Sequence, residues 1–268
     1  MKLNDRQMLD VLDVARRHGA MVMIHAENSD CIACLTDRLE QAGKTAPHYH
    51  AVSRPPVVER EATYRAIAFS DLMDTPILIV HVSGEEATKE IRRAQERGLR
   101  IYGETCPQYL FLTSADLQKD GFEGAKCICS PPPRSLADQE YMWSALAEGV
   151  FSIFSSDHAP FRFADPQGKQ NGAAMEGFRW IPNGIPGIET RVPLLFSHGV
   201  LDGRIDIKDF VALTSTNPAH MYGLEKSKGT IAIGSDADIV IWDEKEPFQL
   251  TNDMLHHNVD YTPYEGVE

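Results

Sequence analysis

Three apolar runs in this sequence end on residues that can ligate a metal. Ala20–Ile24 ends at His25, Pro76–Val80 ends at His81, and Val150–Phe154 leads through Ser155 and Ser156 to Asp157. Two imidazoles and a carboxylate are a donor set for Zn²⁺ or a similar borderline cation. One histidine after an apolar run is usually a hydrogen-bonded core residue. The same placement on three runs favours a shared metal site. His158, next to Asp157, is expected either to orient a ligand from behind or to be a structural histidine under the Pro160 turn.

Other polar clusters read differently. His48-Tyr-His50 has ligand-like spacing, but no apolar run precedes it, and Pro47 and Pro55 flank it, so it reads as a loop pair. Cys31 and Cys34 form a CxxC inside a helical stretch with no second CxxC; they read as small buried apolar positions rather than a redox or zinc pair. Glu104 and Cys106 read as residues that stabilise strand ends.

The elements that must position these residues alternate. The pattern predicts helices over Asp5–His18, Asn28–Ala42, Glu59–Leu72, Glu85–Arg97 and Leu136–Glu148. Strands are expected at Ala20–Ile24, Pro76–Val80, Leu99–Tyr102, Ala125–Cys129 and Val150–Phe154. Such short, continuously apolar strands are buried on both faces, as in parallel sheets. Alternation alone also fits a doubly wound sheet. Polar residues at the carboxyl ends of successive strands favour a (β/α) barrel, which carries its chemistry there. From Lys228 to Asp243 the pattern changes to short strands around Gly234, expected to form a hairpin-like unit.

Composition excludes several classes. The chain has 268 residues, 43% hydrophobic and 24% charged, which is ordinary for a globular protein. A net charge of −13 argues against nucleic acid or an anionic membrane surface as partner. No run approaches the roughly 18 apolar residues of a membrane span. Five cysteines and a start without a signal-peptide core point to reduced thiols in the cytoplasm.

A series of short motifs is similar to the dihydropyrimidinase/hydantoinase family of cyclic amidohydrolases. It comprises Ile24-His-Ala-Glu-Asn28, His50-Ala-Val-Ser-Arg-Pro55, Ile79-Val-His-Val-Ser83, Gly103-Glu-Thr-Cys-Pro-Gln-Tyr-Leu110, Ser130-Pro-Pro-Pro-Arg134, Ser156-Asp-His-Ala-Pro160 and Ile181-Pro-Asn-Gly-Ile-Pro-Gly-Ile-Glu-Thr190. The stretch Gly229–Trp242 resembles the return of such enzymes to a small β-sandwich. Each motif is modest; their order along nearly the whole chain is specific. The resemblance implies zinc-dependent ring opening of dihydropyrimidines or hydantoins to N-carbamoyl amino acids. It assigns His25 and His81 to one metal of a binuclear site. Asp157 would ligate the other metal and shuttle a proton, and Ser130 and Asn183 would align a small cyclic imide or ureide. It also implies a homo-oligomer.

The family pattern departs at the start. A His-x-His strand, a carboxylated bridging lysine and a nearby tyrosine belong upstream of the segment matching Ala20–Asn28, where only residues 1–19 stand here. Lys126 does not take the bridging lysine's place. A full barrel needs eight strands and roughly 250 residues. Residues 1–225 are therefore expected to form a partial (β/α)₈ barrel, and 226–268 a β-sandwich remnant with its tail, the whole holding only part of the binuclear zinc site. The alternatives are a non-catalytic assembly protein of the same fold, or another cyclic amidohydrolase such as an allantoinase or dihydroorotase.

Overall fold

Asn4 starts the first helix with a capping box: its side chain accepts the Gln7 N–H at 2.9 Å, and the Gln7 side chain accepts the Asn4 N–H at 3.0 Å. The computed structural model describes residues 2–268. Helix α1 runs Asp5–Arg17 and leads into strand β1, Val22–Ile24. Asn28 caps α2, Ser29–Gln41, by accepting the Asp30 and Cys31 N–H groups. A short α3, Tyr49–Val52, precedes α4, Pro56–Met73, which has proline in its first turn. Then come β2, Ile77–Ile79; α5, Glu85–Glu96; β3, Ile101–Thr105; and α6, Gln108–Phe111. Helix α7, Leu136–Ala147, has a second capping box from Ser135 and Asp138, and β4 is Ile153–Phe154. Beyond the site loops lie α8, Arg191–Leu195; α9, Ile207–Val211; and α10, Asn217–Met221.

The four strands are parallel and lie in chain order, β1-β2-β3-β4, with Ile24 opposite Ile79, Ile79 opposite Gly103, and Thr105 opposite Phe154. A doubly wound sheet reverses its order at a switch point. An unreversed series with helical crossovers is an arc of a barrel wall. Ile77, Leu78 and Ile79 are fully buried, so β2 is covered on both faces. One apolar cluster joins the strands to α4, α5 and α7; a second surrounds Tyr109, Ile128, Phe178 and Tyr264. No described helix is long and apolar enough to cross a membrane.

Three expectations need correction. Ala125–Cys129 is not a strand: Glu123–Cys127 is a 3₁₀ turn, packed so closely that a Cβ on Gly124 would sit 2.1 Å from the Leu117 carbonyl oxygen. A short run buried all round does not reveal its period. Lys228–Asp243 forms no strand either. Ile231, Ile233 and Ile241 stand exposed with no neighbouring strand to pair with, and the segment is held by Trp242 stacked on Phe196 at 4.3 Å. Beyond it, residues 249–268 do pack on the second cluster, with Tyr264 buried and Leu250 N–H donating to the Val267 carbonyl at 2.7 Å. Lastly, Cys31 and Cys34 are free and exposed, because α2 buries only Thr36 among its residues.

Candidate active site

Strands β1 and β2 are adjacent and in register, so the residues leaving their carboxyl ends meet. His25 Nδ1 lies 2.9 Å from His81 Nε2, with the rings edge to face. The other nitrogen of His25, Nε2, donates to Glu27 Oε2 at 3.0 Å. Glu27 is two residues on, hence on the same side of the extended chain. Its carboxylate fixes the His25 tautomer and aims the Nδ1 lone pair at His81. Burial first, and the charge of His25 second, push the His81 imidazole down to about 3, so it is neutral at ordinary pH. A metal ligand must be neutral in this way.

Asp157 leaves the end of β4 and stands at the open side, where burial raises its carboxyl and the His25 charge partly offsets that rise. His81 and Asp157 share a backbone feature, with φ of +42° and +44°. Left-handed backbone costs a non-glycine residue roughly 1–2 kcal/mol, and such conformations concentrate at functional sites. Glu104 is buried at the end of β3, its carboxyl raised by burial; it accepts the His81 N–H at 3.4 Å and so closes the strand ends, as expected. His158 has a structural contact: its Nδ1 accepts the Gly187 and Ile188 N–H groups at 3.1 and 3.3 Å.

The two residues expected to align a substrate also meet. Ser130 Oγ donates to Asn183 Oδ1 at 2.8 Å. One open groove is lined by His25, Glu27, Arg54, Ser130 and Phe178, so it runs from one histidine of the pair to Ser130; His81 is buried behind His25. His50, read as half of a loop pair, is buried beneath Ser130. Its Nε2 donates to the Cys129 carbonyl at 2.9 Å and its Nδ1 accepts from Arg54 at 3.2 Å. Burial, followed by the Arg54 charge, holds it well below the usual histidine range, so it supports the loop as a neutral ring.

The donors present suit a zinc-type cation. Two imidazole nitrogens face one another, one ring is oriented by a carboxylate, and the buried His81 Nδ1 has no hydrogen-bond partner among the described residues, leaving it free to carry the proton when Nε2 offers its lone pair. Among the described residues no three metal-type donors converge. His25 and His81 are thus in contact, and Asp157 is near but makes no hydrogen bond to either. Glu27 was missed in the sequence, although its position two residues after His25 was the available signal. Its carboxylate is expected to matter by charge as well as geometry: Glu27→Gln should lower zinc affinity about tenfold, measured by competition with a fluorescent chelator.

Comparison with known proteins places the chain in a family. The Amidohydrolase family profile matches residues 2–267. A D-hydantoinase of Rhizobium radiobacter is 46% identical over 98% of this chain and 57% of its own length. The structure of a D-hydantoinase from a Bacillus species superposes with a TM-score of 0.95 at 44% identity, covering 99% of this chain and 57% of that one. That of a dihydropyrimidinase from Brevibacillus agri gives 0.95 at 45% identity, covering 98% and 56%. The chain thus spans a little over half the length of the relatives it matches.

Proposed function

The chain belongs to the amidohydrolase family, and from that premise we propose that it acts in the zinc-dependent hydrolysis of the cyclic amide bond of hydantoins or dihydropyrimidines. The observation that carries this proposal is the 2.9 Å contact of His25 with His81, His25 lining the groove that also holds Ser130, itself bonded to Asn183. D-hydantoinases and a dihydropyrimidinase among the relatives support it.

His25 and His81 would hold the cation, with Asp157 the carboxylate of the same group of strand ends. Bound there, it supplies Lewis acidity and a nucleophile available near neutral pH. The chain's own residues do the rest. Ser130 and Asn183 align the ring so that one carbonyl faces the strand ends. Asp157 accepts the proton of the attacking water and passes it to the ring nitrogen. The carbonyl carbon gains the hydroxyl, the carbon–nitrogen bond breaks, and the nitrogen leaves protonated as part of a ureido group, giving an N-carbamoyl amino acid. The raised carboxyl of Asp157 suits a group that must both take and return a proton. The resemblance adds a homo-oligomer working in the cytoplasm.

An assembly role would give no reason to keep a carboxylate-oriented histidine pair. The test is to incubate the zinc-loaded chain with dihydrouracil, hydantoin, allantoin and dihydroorotate and to separate the products by chromatography. With only part of the binuclear site expected here, opening of the first two should be slow at most, dependent on zinc and lost in Asp157→Asn. A chain that takes up no zinc and opens none of the four would favour the assembly role, and opening of only the last two would favour a different cyclic amidohydrolase.

A further inference from the structure

Lys169 is fully buried, and among the described residues its ammonium bonds to carbonyl oxygens and not to a carboxylate. An unpaired ammonium is costly to bury, and an apolar side chain of the same length would fit without that cost. Its contacts show what the ammonium does there. Nζ donates to the Ile128 carbonyl at 2.8 Å and to the Pro182 carbonyl at 2.9 Å. Ile128 lies two residues before Ser130, and Pro182 immediately precedes Asn183. The same Ile128 oxygen accepts the Gly184 N–H at 3.1 Å. Two loops that no β-ladder joins are therefore clamped at the points from which Ser130 and Asn183 project.

The clamp is itself fixed. The Lys169 N–H donates to the Arg162 carbonyl at 2.8 Å, and the start of this loop is tied to Asp260 through the Phe163 and Ala164 N–H groups. On the far side Gly184 has φ of +116°, and a Cβ there would stand 2.3 Å from that of Ala159, so the Asn183–Gly184 backbone has little room to shift. With the chain pinned on both sides, the ammonium and the Gly184 N–H together set how far apart the Ser130 and Asn183 segments stand.

We propose that Lys169 is a positioning residue: from a loop outside the groove it holds the Ser130 and Asn183 segments at the separation that a cyclic imide requires. This rests on the assignment of Ser130 and Asn183 as the ring-aligning pair. Lys169 touches no substrate; it acts through the carbonyls of Ile128 and Pro182.

Protonation of this ammonium makes the proposal measurable. Burial lowers Lys169 to about 7. The groups that face it do not titrate in that region. Cys127 is pushed up to about 11 and Cys129 higher still, both by burial, and His50 lies well below its ordinary value. Behind these thiols, Tyr109 and Tyr264 are likewise raised by burial. Between pH 6 and pH 9 the clamp therefore changes from an ammonium to a weaker neutral donor while its neighbours stay constant.

The experiment compares the zinc-loaded wild-type chain with Lys169→Met, Ser130→Ala and Asn183→Ala. Dihydrouracil affinity is measured by calorimetry from pH 6 to pH 9, with zinc content and thermal midpoint recorded for each protein. Amide resonances of Ser130 and Asn183 are followed over the same range. Lys169→Met is expected to weaken dihydrouracil about tenfold at pH 6, with unchanged zinc content. Wild-type affinity should fall toward pH 9 while the variant's stays flat; ionisation of the ring is common to both and cancels. The wild-type Ser130 and Asn183 amides should shift together in one transition near pH 7 that Lys169→Met abolishes. Superimposable pH profiles, or wild-type amides that do not titrate, overturn the proposal even if the variant fails to fold. If Ser130→Ala and Asn183→Ala bind the ring as the wild type does, the assignment of the pair is wrong and the proposal falls with it. If the amide transition is present but no protein binds the ring, the clamp stands and the proposed substrate class is what fails.

Discussion

Arg134→Met should cost about 3–5 kcal/mol of folding free energy. Arg134 and Glu59 are both buried, and the guanidinium uses all its faces. Nη2 meets Glu59 Oε2 at 2.9 Å, Nε donates to Ser83 Oγ at 2.8 Å, and Nη1 donates to the Arg54 carbonyl. Glu59 also accepts the Ser83 N–H at 2.9 Å. The pair thus ties α4, the loop after β2, and the Pro131–Arg134 segment that follows Ser130. Taking away the cation strands a buried carboxylate, which is worse than never having had the pair. Burial already raises Glu59 above the usual carboxylate range, with Arg134 acting against it. Without Arg134 the folded-state value rises further. A group whose folded value lies above its unfolded value of about 4.3 favours folding below that value and loses this contribution as pH rises through the folded one. The deficit of Arg134→Met should therefore be smaller near pH 5 than near pH 8. Glu59→Leu in the same chain should recover most of it, since an apolar pair replaces an orphaned charge. Urea unfolding at the two pH values measures both effects; a deficit below about 1 kcal/mol at pH 8 would show that the pair contributes little.

The parts of this protein legible in its sequence are those that depend on local chemistry. Three expected helices, Asp5–His18, Asn28–Ala42 and Leu136–Glu148, begin within a residue of the observed ones, where Asn4, Asn28 and Ser135 satisfy the first free N–H groups. The strands leading to His25 and His81 are readable because isoleucine, leucine and valine runs bounded by polar residues leave few alternatives. Once those strands are parallel neighbours, contact of His25 with His81 follows from register. What could not be read depends on distant partners. Apart from Lys126 the run Ala125–Cys129 is apolar because it is enclosed, and its turn conformation is set by Gly124 against Leu117. His50, placed between prolines, resembles a surface loop residue until Cys129 and Ser130 cover it. Lys169 sits in a polar stretch where a lysine reads as solvated; only the fold puts the carbonyls of Ile128 and Pro182 around it. The alternation Ile231, Ile233 is a strand pattern, yet a strand needs a neighbour, and none lies beside it.

His81→Asn should lower zinc affinity at least about a hundredfold while leaving the fold intact. Loss of a partner that merely orients a ligand costs roughly 10–100-fold, so loss of a ligand should lie at or beyond the upper end. Asparagine is preferable to alanine here because His81 has φ of +42°. Asparagine tolerates left-handed backbone, whereas alanine would add strain and blur the comparison. The substitution also removes the buried ring nitrogen that has no hydrogen-bond partner among the described residues, so folding stability should not fall through that loss. His25 would keep its bond to Glu27 but face an amide in place of an imidazole. Zinc content after dialysis at fixed free zinc, read by atomic emission with the thermal midpoint of the metal-free protein alongside, separates the effects. Reduced zinc with an unchanged midpoint assigns His81 to the cation. Unchanged zinc removes it, and the contact with His25 would then serve only to close the ends of β1 and β2. A fall in both would mean that the asparagine side chain disturbs the strand end, and His25→Asn would then decide, because His25 lies at the exposed mouth where its ring contributes little to the core.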